Sequence, residues 1–181
     1  CSGGTLHVLP KEVLLDGVQL VDYWDKERIT HAFLPPGLLP IVIDALGKQN
    51  MLSLKYLLTG VEPVPRESFD QLLELLPGVG LFNRYGPTET TVFSAFMRYR
   101  GMPEPKRRAP IGKPLPGERI VLTDTWNQPV PIGVPGELLI GGTGVGIGYL
   151  NRPELTATSF IADPFGPDAN WKNGWGKGYL Y

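Results

Sequence analysis

The run Phe69-Asp70-Gln71-Leu72-Leu73-Glu74-Leu75-Leu76-Pro77-Gly78, followed by Val79-Gly80-Leu81-Phe82-Asn83, is the stretch that decides the fold class. Phe69, Leu72, Leu73 and Leu76 fall at i, i+3, i+4 and i+7, which sets four apolar side chains on one face of a helix. Pro77-Gly78 ends that helix, and residues 80–83 read as a short strand. Just upstream, residues 54–59 form another strand pattern that ends at Gly60. Strand, helix and strand in that order predict an α/β arrangement with mostly parallel strands.

The same alternation extends toward the N-terminus. Residues 29–34 read as a buried strand stopped by Pro35-Pro36. Residues 37–46 are apolar and long enough for a helix, provided that Pro40 lies in its first turn or kinks it. Val18, Leu20, Val21 and Trp24 sit at mixed three- and four-residue spacing and predict a short amphipathic helix over residues 16–27. Residues 5–9 are a further strand candidate, closed by Pro10.

Toward the C-terminus the composition shifts near residue 100. Residues 101–110 read as a loop carrying Lys106-Arg107-Arg108, most simply a solvated turn. From Ile111 onward proline and glycine bracket short runs at 119–123, 129–132 and 137–140. This half is expected to be a β-rich, barrel-like subdomain with one short helix near 153–160, Pro153 taking its first position. The expected subdomains are therefore residues 1–105 and 106–181. There is no internal repeat.

Composition narrows the function classes. Lys plus Arg number 17 against 18 for Asp plus Glu, a formal charge of -1, so bulk electrostatics predicts neither nucleic acid nor an anionic membrane as partner. The single cysteine, Cys1, excludes an internal disulfide framework and any site built on clustered cysteines. Glycine (23) and proline (19) are abundant, yet they punctuate long apolar segments and form no low-complexity run. No stretch reaches the roughly 18 apolar residues of a membrane helix, and no signal-peptide pattern is present, so a cytoplasmic location is expected. The chain starts at Cys1-Ser2-Gly3-Gly4 without an initiator methionine and is expected to be a piece of something longer.

Two motifs invite a chemical reading. In Gly141-Gly142-Thr143-Gly144-Val145-Gly146-Ile147-Gly148 neither the dinucleotide spacing nor the P-loop spacing occurs, so the glycines are read as sites of close backbone approach in a β-rich region. His7 and His31 lie in strand-like runs and receive no role. Asn83-Arg84-Tyr85-Gly86-Pro87-Thr88-Glu89-Thr90-Thr91 differs, because complementary chemistries follow a strand within a few residues. Asn83 can donate to and accept from a heterocycle edge. Tyr85 offers a flat face for stacking. Thr88 brings a hydroxyl beside backbone N–H groups that can face a phosphate, and Glu89 is a hard oxygen ligand of the kind Mg²⁺ uses beside substrate phosphates. The same residues also fit a tight turn followed by an element that Thr88 caps.

Together with Pro110-Ile111-Gly112-Lys113-Pro114, Gly136-Glu137-Leu138-Leu139-Ile140-Gly141-Gly142, Gly148-Tyr149-Leu150-Asn151-Arg152-Pro153-Glu154-Leu155-Thr156 and Phe160-Ile161-Ala162-Asp163-Pro164-Phe165-Gly166, that motif resembles the adenylation domain of a nonribosomal peptide synthetase. These domains belong to the acyl-adenylate-forming superfamily of ATP-dependent ligases. The resemblance runs from residue 1 to 181 and implies a partial α/β subdomain followed by a β-rich one. It implies that Gly60, Val61 and Glu62 line one side of an adenine pocket that Asn83 and Tyr85 complete, with Gly86 also binding the nucleotide. Thr88 is implied at the α-phosphate, again with Glu89 at the Mg²⁺. Gly37, Leu58, Gly60, Arg84, Val92 and Phe93 are implied around the side chain of the acid substrate. The chain departs from the family at Val61, where glycine is usual, and at Ile147, where arginine is usual.

The implied reaction joins a carboxylic, most simply an amino, acid to ATP, giving an acyl-adenylate and pyrophosphate. The acyl group then passes to the phosphopantetheine thiol of a peptidyl carrier protein domain. The resemblance also implies that the phosphate loop, the ribose-binding aspartate and the catalytic lysine of the family lie outside this stretch, so the 181 residues alone are expected not to adenylate a substrate. An acyl- or aryl-CoA ligase and a non-catalytic adenylation-like module are the alternative readings. Arg84 can pair with an acidic substrate side chain, or pack its stem and reach water.

Overall fold

The computed structural model describes residues 3–47, 53–102, 108–163 and 179–180. Cys1, Lys106, Arg107 and the last three residues of the Phe160-to-Gly166 motif lie outside the described residues. The chain forms two compact units, one of Cys1–Asn83 with Arg98–Pro110 and one of Arg84–Met97 with Ile111–Tyr181.

The first unit opens with helices α1 (Lys11–Leu14) and α2 (Gly17–Lys26). Asp16 caps α2: its Oδ1 accepts from the N–H groups of Val18 and Gln19, each at 3.0 Å. These bonds lower the Asp16 pKa, because they favour the charged carboxylate. Leu20, Val21 and Trp24 are buried on one face of α2. Gly17 lies so close to the next helix that a Cβ there would stand 2.3 Å from the Ile41 carbonyl oxygen.

Strand β1 (His31–Phe33) is followed by a 3-10 turn, Pro36–Leu38, and helix α3 (Leu39–Leu46), with Pro40 in its first turn as the sequence requires. Strand β2 (Tyr56–Gly60) pairs parallel with β1, Ala32 opposite Leu57. Helix α4 (Arg66–Leu75) buries Phe69 and Leu72, and strand β3 (Gly80–Tyr85) lies beside β2. Gly80 donates to the Lys55 carbonyl at 2.8 Å, so the two strands start side by side and run the same way. Leu34, Leu57, Leu72 and Leu81 form the centre of this core.

Strand β4 (Ala95–Tyr99) ends in the first unit, where Tyr99 stacks on Phe69 at 4.7 Å between ring centroids and donates to Asp70 Oδ1 at 2.6 Å. Burial, then the bond to Asp70, raises the Tyr99 pKa, so the phenol keeps its proton. Residues 5–9 do not form the expected strand. They find no ladder partner among the described residues, and Leu6 and Val8 are 86% and 83% exposed, so alternation alone did not suffice to pair them.

In the second unit β4 pairs antiparallel with β5 (Lys113–Pro114), Ala95 opposite Pro114. Gly112, at φ +93°, leads into that strand, and a Cβ there would lie 2.0 Å from the Phe96 carbonyl oxygen. Strands β6 (Glu118–Thr123) and β7 (Glu137–Gly142) form an antiparallel pair in full register, Glu118 opposite Gly142 and Thr123 opposite Glu137. Helix α5 (Pro153–Ser159) starts on Pro153 as expected. Strands β8 (Ile161–Ala162) and β9 (Tyr179–Leu180) pair antiparallel.

Residues 129–132 do not form the expected strand: Pro129 bridges to Thr123, Val130 N–H donates to the Leu122 carbonyl and the Pro131 carbonyl accepts from Val134, because two prolines in four residues remove the donors a strand needs. Strand pairing is thus mixed, with helices and parallel strands in the first unit and antiparallel pairs in the second. Among the described residues no closed barrel forms. Nor is any helix among the described residues long and apolar enough to cross a membrane.

Candidate functional site

The end of β2 and the middle of β3 hold the predicted residues of the first unit. Gly60 is buried with φ +131°, a backbone that suits glycine. Val61 follows at φ +66°, in the left-handed region, where a β-branched side chain is strained. Its side chain and that of Glu62 are exposed. Gly37 sits in the 3-10 turn after β1, with open space where a Cβ would point. Leu58 is half-buried in β2, its carbonyl accepting the Leu34 N–H at 2.9 Å.

Asn83 is the informative residue of this group. It is 3% exposed, and its Nδ2 donates to the Pro110 carbonyl at 2.8 Å. That bond orients the amide. Its Oδ1, also buried, accepts from no donor among the described residues. A buried amide oxygen with no donor is costly unless a donor arrives from elsewhere.

In the second unit the motif turns back on itself. Gly86 makes this possible: a Cβ there would lie 2.3 Å from Phe93 Cα and 2.6 Å from Ser94 N. The Ser94 N–H donates to the Tyr85 carbonyl at 2.8 Å across that contact. Thr88 does not cap an element. It opens a 3-10 turn, Thr88–Thr90, with Pro87 in the cap position and its own side chain exposed. The buried hydroxyls that fix the turn belong to Thr90, which donates to the Pro87 carbonyl at 3.2 Å, and Ser94, which donates to Thr90 Oγ1 at 2.7 Å. Thr91 and Val92 both adopt positive φ, +58° and +74°, so the turn holds strained backbone.

The Arg84 guanidinium lies 4.7 Å from the Phe93 ring centroid, and burial lowers its pKa from the usual arginine value. An arginine stays charged through such a shift, and the stacked geometry orients it. Arg84 and Phe93, both predicted around the substrate side chain, therefore touch each other.

The glycine tract closes against this turn, as its reading as a close-approach segment requires. Gly146 N–H donates to the Glu89 carbonyl at 2.7 Å, and Thr91 Oγ1 donates to the Gly144 carbonyl at 2.7 Å. A Cβ on Gly144 would stand 2.9 Å from the Thr90 carbonyl oxygen. Glu118 holds the tract from the other side, its Oε1 accepting from Gly144 N–H at 2.8 Å and from Thr143 Oγ1 at 3.3 Å. Finally the Tyr149 hydroxyl donates to Glu89 Oε1 at 2.5 Å.

Tyr149 and Glu118 carried no predicted role, and their signal was absent from any local window, since these contacts join segments 60 and 26 residues apart. A cavity of about 960 Å³ in the second unit is lined by Ile147, Leu150, Phe160 and their neighbours, Tyr149 among them. None of the predicted site residues lines it.

The family model described as AMP-binding enzyme matches residues 1–150. The chain is 41% identical over 169 residues to malpinin synthetase of Mortierella alpina, covering 92% of this chain and 2% of that protein. It is 39% identical over 168 residues to tyrocidine synthase 3 of Brevibacillus parabrevis, covering 91% of this chain and 2% of that protein. Among solved structures it is similar to holo-AB3403, a four-domain nonribosomal peptide synthetase bound to AMP and glycine. That match has a TM-score of 0.83 and 36% identity and covers 99% of this chain and 12% of that one. The chain thus spans a small share of each relative's length.

Proposed function

Because the chain belongs to the AMP-binding enzyme family, we propose that it is part of a peptide-synthetase adenylation domain. The full-length protein activates a carboxylic, most simply an amino, acid with ATP and passes the acyl group to a carrier-protein phosphopantetheine thiol. The observation that carries this reading is the Asn83 amide, buried, oriented by Pro110 and with no donor for its Oδ1 among the described residues. Adenine brings the missing donor in its exocyclic amino group.

In this reading the first unit belongs to an α/β AMP-binding subdomain and the second to a β-rich one. Gly60, Val61 and Glu62 lie along one edge of the adenine, and Tyr85 stacks on its face. Gly86 lets the backbone turn toward the α-phosphate, where Thr88 offers an exposed hydroxyl. Gly37, Leu58, Gly60, Arg84, Val92 and Phe93 surround the acid side chain.

Chemically, a carboxylate oxygen attacks the α-phosphorus, the new C–O–P linkage forms and pyrophosphate leaves with the electron pair. No general base is needed, since the carboxylate is already ionised at neutral pH. Two anions must meet, so catalysis rests on positioning and on charge neutralisation. Glu89 is one hard carboxylate beside the turn, a donor set that suits Mg²⁺, which takes one or two protein carboxylates and fills the rest of its shell with water and substrate phosphate. A bound Mg²⁺ supplies positive charge where the phosphate accumulates negative charge. The similarity to peptide synthetases supports the carrier-protein partner, and the absence of any membrane-crossing helix among the described residues agrees with a cytoplasmic enzyme.

The test of the adenine assignment compares AMP with IMP, whose ring carries a carbonyl in place of the amino group. The full-length protein should bind AMP at least about tenfold more tightly, because IMP leaves Asn83 Oδ1 facing another acceptor. Asn83→Ala should erase that preference in the same calorimetric titrations. Equal affinities for AMP and IMP in the unsubstituted protein would remove Asn83 from the adenine site.

A further inference from the structure

We propose that Tyr149 is a positioning residue for Glu89. The inference rests on the reading of Glu89 as the carboxylate that faces the cation, and it assigns a role to a residue outside the motif that contains Glu89. A glutamate side chain has three rotatable bonds, so ordering its carboxylate for a metal costs entropy unless a partner has already selected the rotamer. The Tyr149 hydroxyl does this by donating to Glu89 Oε1 at 2.5 Å, a charge-assisted bond.

Tyr149 is itself held at two places. Its ring meets Phe160 edge-on with centroids 5.5 Å apart. Its backbone N–H donates to Thr156 Oγ1 at 2.9 Å, and that hydroxyl donates to the Arg152 carbonyl at 2.9 Å at the start of α5. Gly148, at φ +133°, permits the approach, because a Cβ there would lie 2.4 Å from Thr156 Cγ2. The main chain of Glu89 is pinned separately by Gly146 N–H. Helix α5 therefore fixes the phenol, the glycine tract fixes the Glu89 backbone, and the phenol fixes the Glu89 carboxylate.

Tyr149→Phe keeps the ring contact and the backbone bonds and removes only the hydroxyl. Mn²⁺ is the probe, titrated into the full-length protein by electron paramagnetic resonance in the presence of α,β-methylene-ATP, while AMP affinity is measured without divalent cation. Tyr149→Phe should raise the Mn²⁺ concentration for half-saturation about tenfold and leave cation-free AMP affinity within about twofold. Unchanged Mn²⁺ binding overturns the proposal. So does a parallel loss of Mn²⁺ and AMP affinity, which would make Tyr149 a support of the fold only. Glu89→Gln separates the two levels: if it weakens Mn²⁺ binding and Tyr149→Phe does not, the positioning role alone fails. If Glu89→Gln leaves Mn²⁺ binding unchanged, the metal reading of Glu89 fails and takes this role with it.

Discussion

Glu89→Ala should lower acid-dependent ATP–pyrophosphate exchange by the full-length protein about a hundredfold to a thousandfold, the range seen when one preorganised electrostatic group is removed from a charge-developing site. The loss should appear with the fold intact, because the contact that pins Glu89 to the glycine tract runs through its carbonyl and not its side chain. Glu89→Gln sharpens the result. The amide oxygen still accepts from Tyr149, so the local bond survives, yet the charge is gone and the exchange rate should fall nearly as far. A Gln variant with wild-type exchange would show that Glu89 serves packing and not the phosphate chemistry.

The second large effect falls on stability. Gly86→Ala forces a methyl into a space bounded by Phe93 Cα and C and by Ser94 N, at 2.3 to 2.8 Å. All of these atoms are backbone, so none can swing aside as a side chain would. The turn must open and sacrifice the Ser94 N–H to Tyr85 carbonyl bond. A loss of about 2–4 kcal/mol in denaturant unfolding is expected, overpacking plus one broken hydrogen bond. Gly37→Ala is the control. Its Cβ would meet nothing within 4 Å and its φ is not in the left-handed region, so its stability should change by less than about 0.5 kcal/mol. Equal stability changes in the two variants would refute the account of why glycine stands at position 86.

Much of the first unit was legible because local rules decide it. The i, i+3, i+4, i+7 stripe produced α4, the spacing of Val18, Leu20, Val21 and Trp24 produced α2, and Pro40 took the first turn of α3, just as Pro153 opened α5 in the second unit. The strands at 31–33, 56–60 and 80–85 lie inside or beside the predicted runs. Where a partner decides, the sequence misled. Residues 5–9 alternate like a strand but pair with no strand among the described residues, and β4 and β5 pair although neither carries a strong pattern.

The candidate site divides in the same way. The motif at 83–89 stands out by its residue chemistry, which fits a capped turn as well, and only the family resemblance assigns its roles; Val61 departs from the family's glycine, and its φ of +66° marks a backbone position suited to glycine. The contacts of Glu89 with Tyr149 and Gly146, and of Glu118 with Gly144, were not readable. They join segments far apart in the chain, the β6–β7 pair bringing only Glu118 beside the glycine tract, and no spacing within one segment records another.

The central claim is that this chain carries the nucleotide site of an acid-activating ligase. Incorporation of radiolabelled pyrophosphate into ATP by the full-length protein tests it most directly, across amino, hydroxy, keto and aryl acids. The account predicts exchange well above the acid-free background with one of these classes, amino acids first, and its loss on Glu89→Ala. Folded full-length protein that supports no exchange with any class would contradict it.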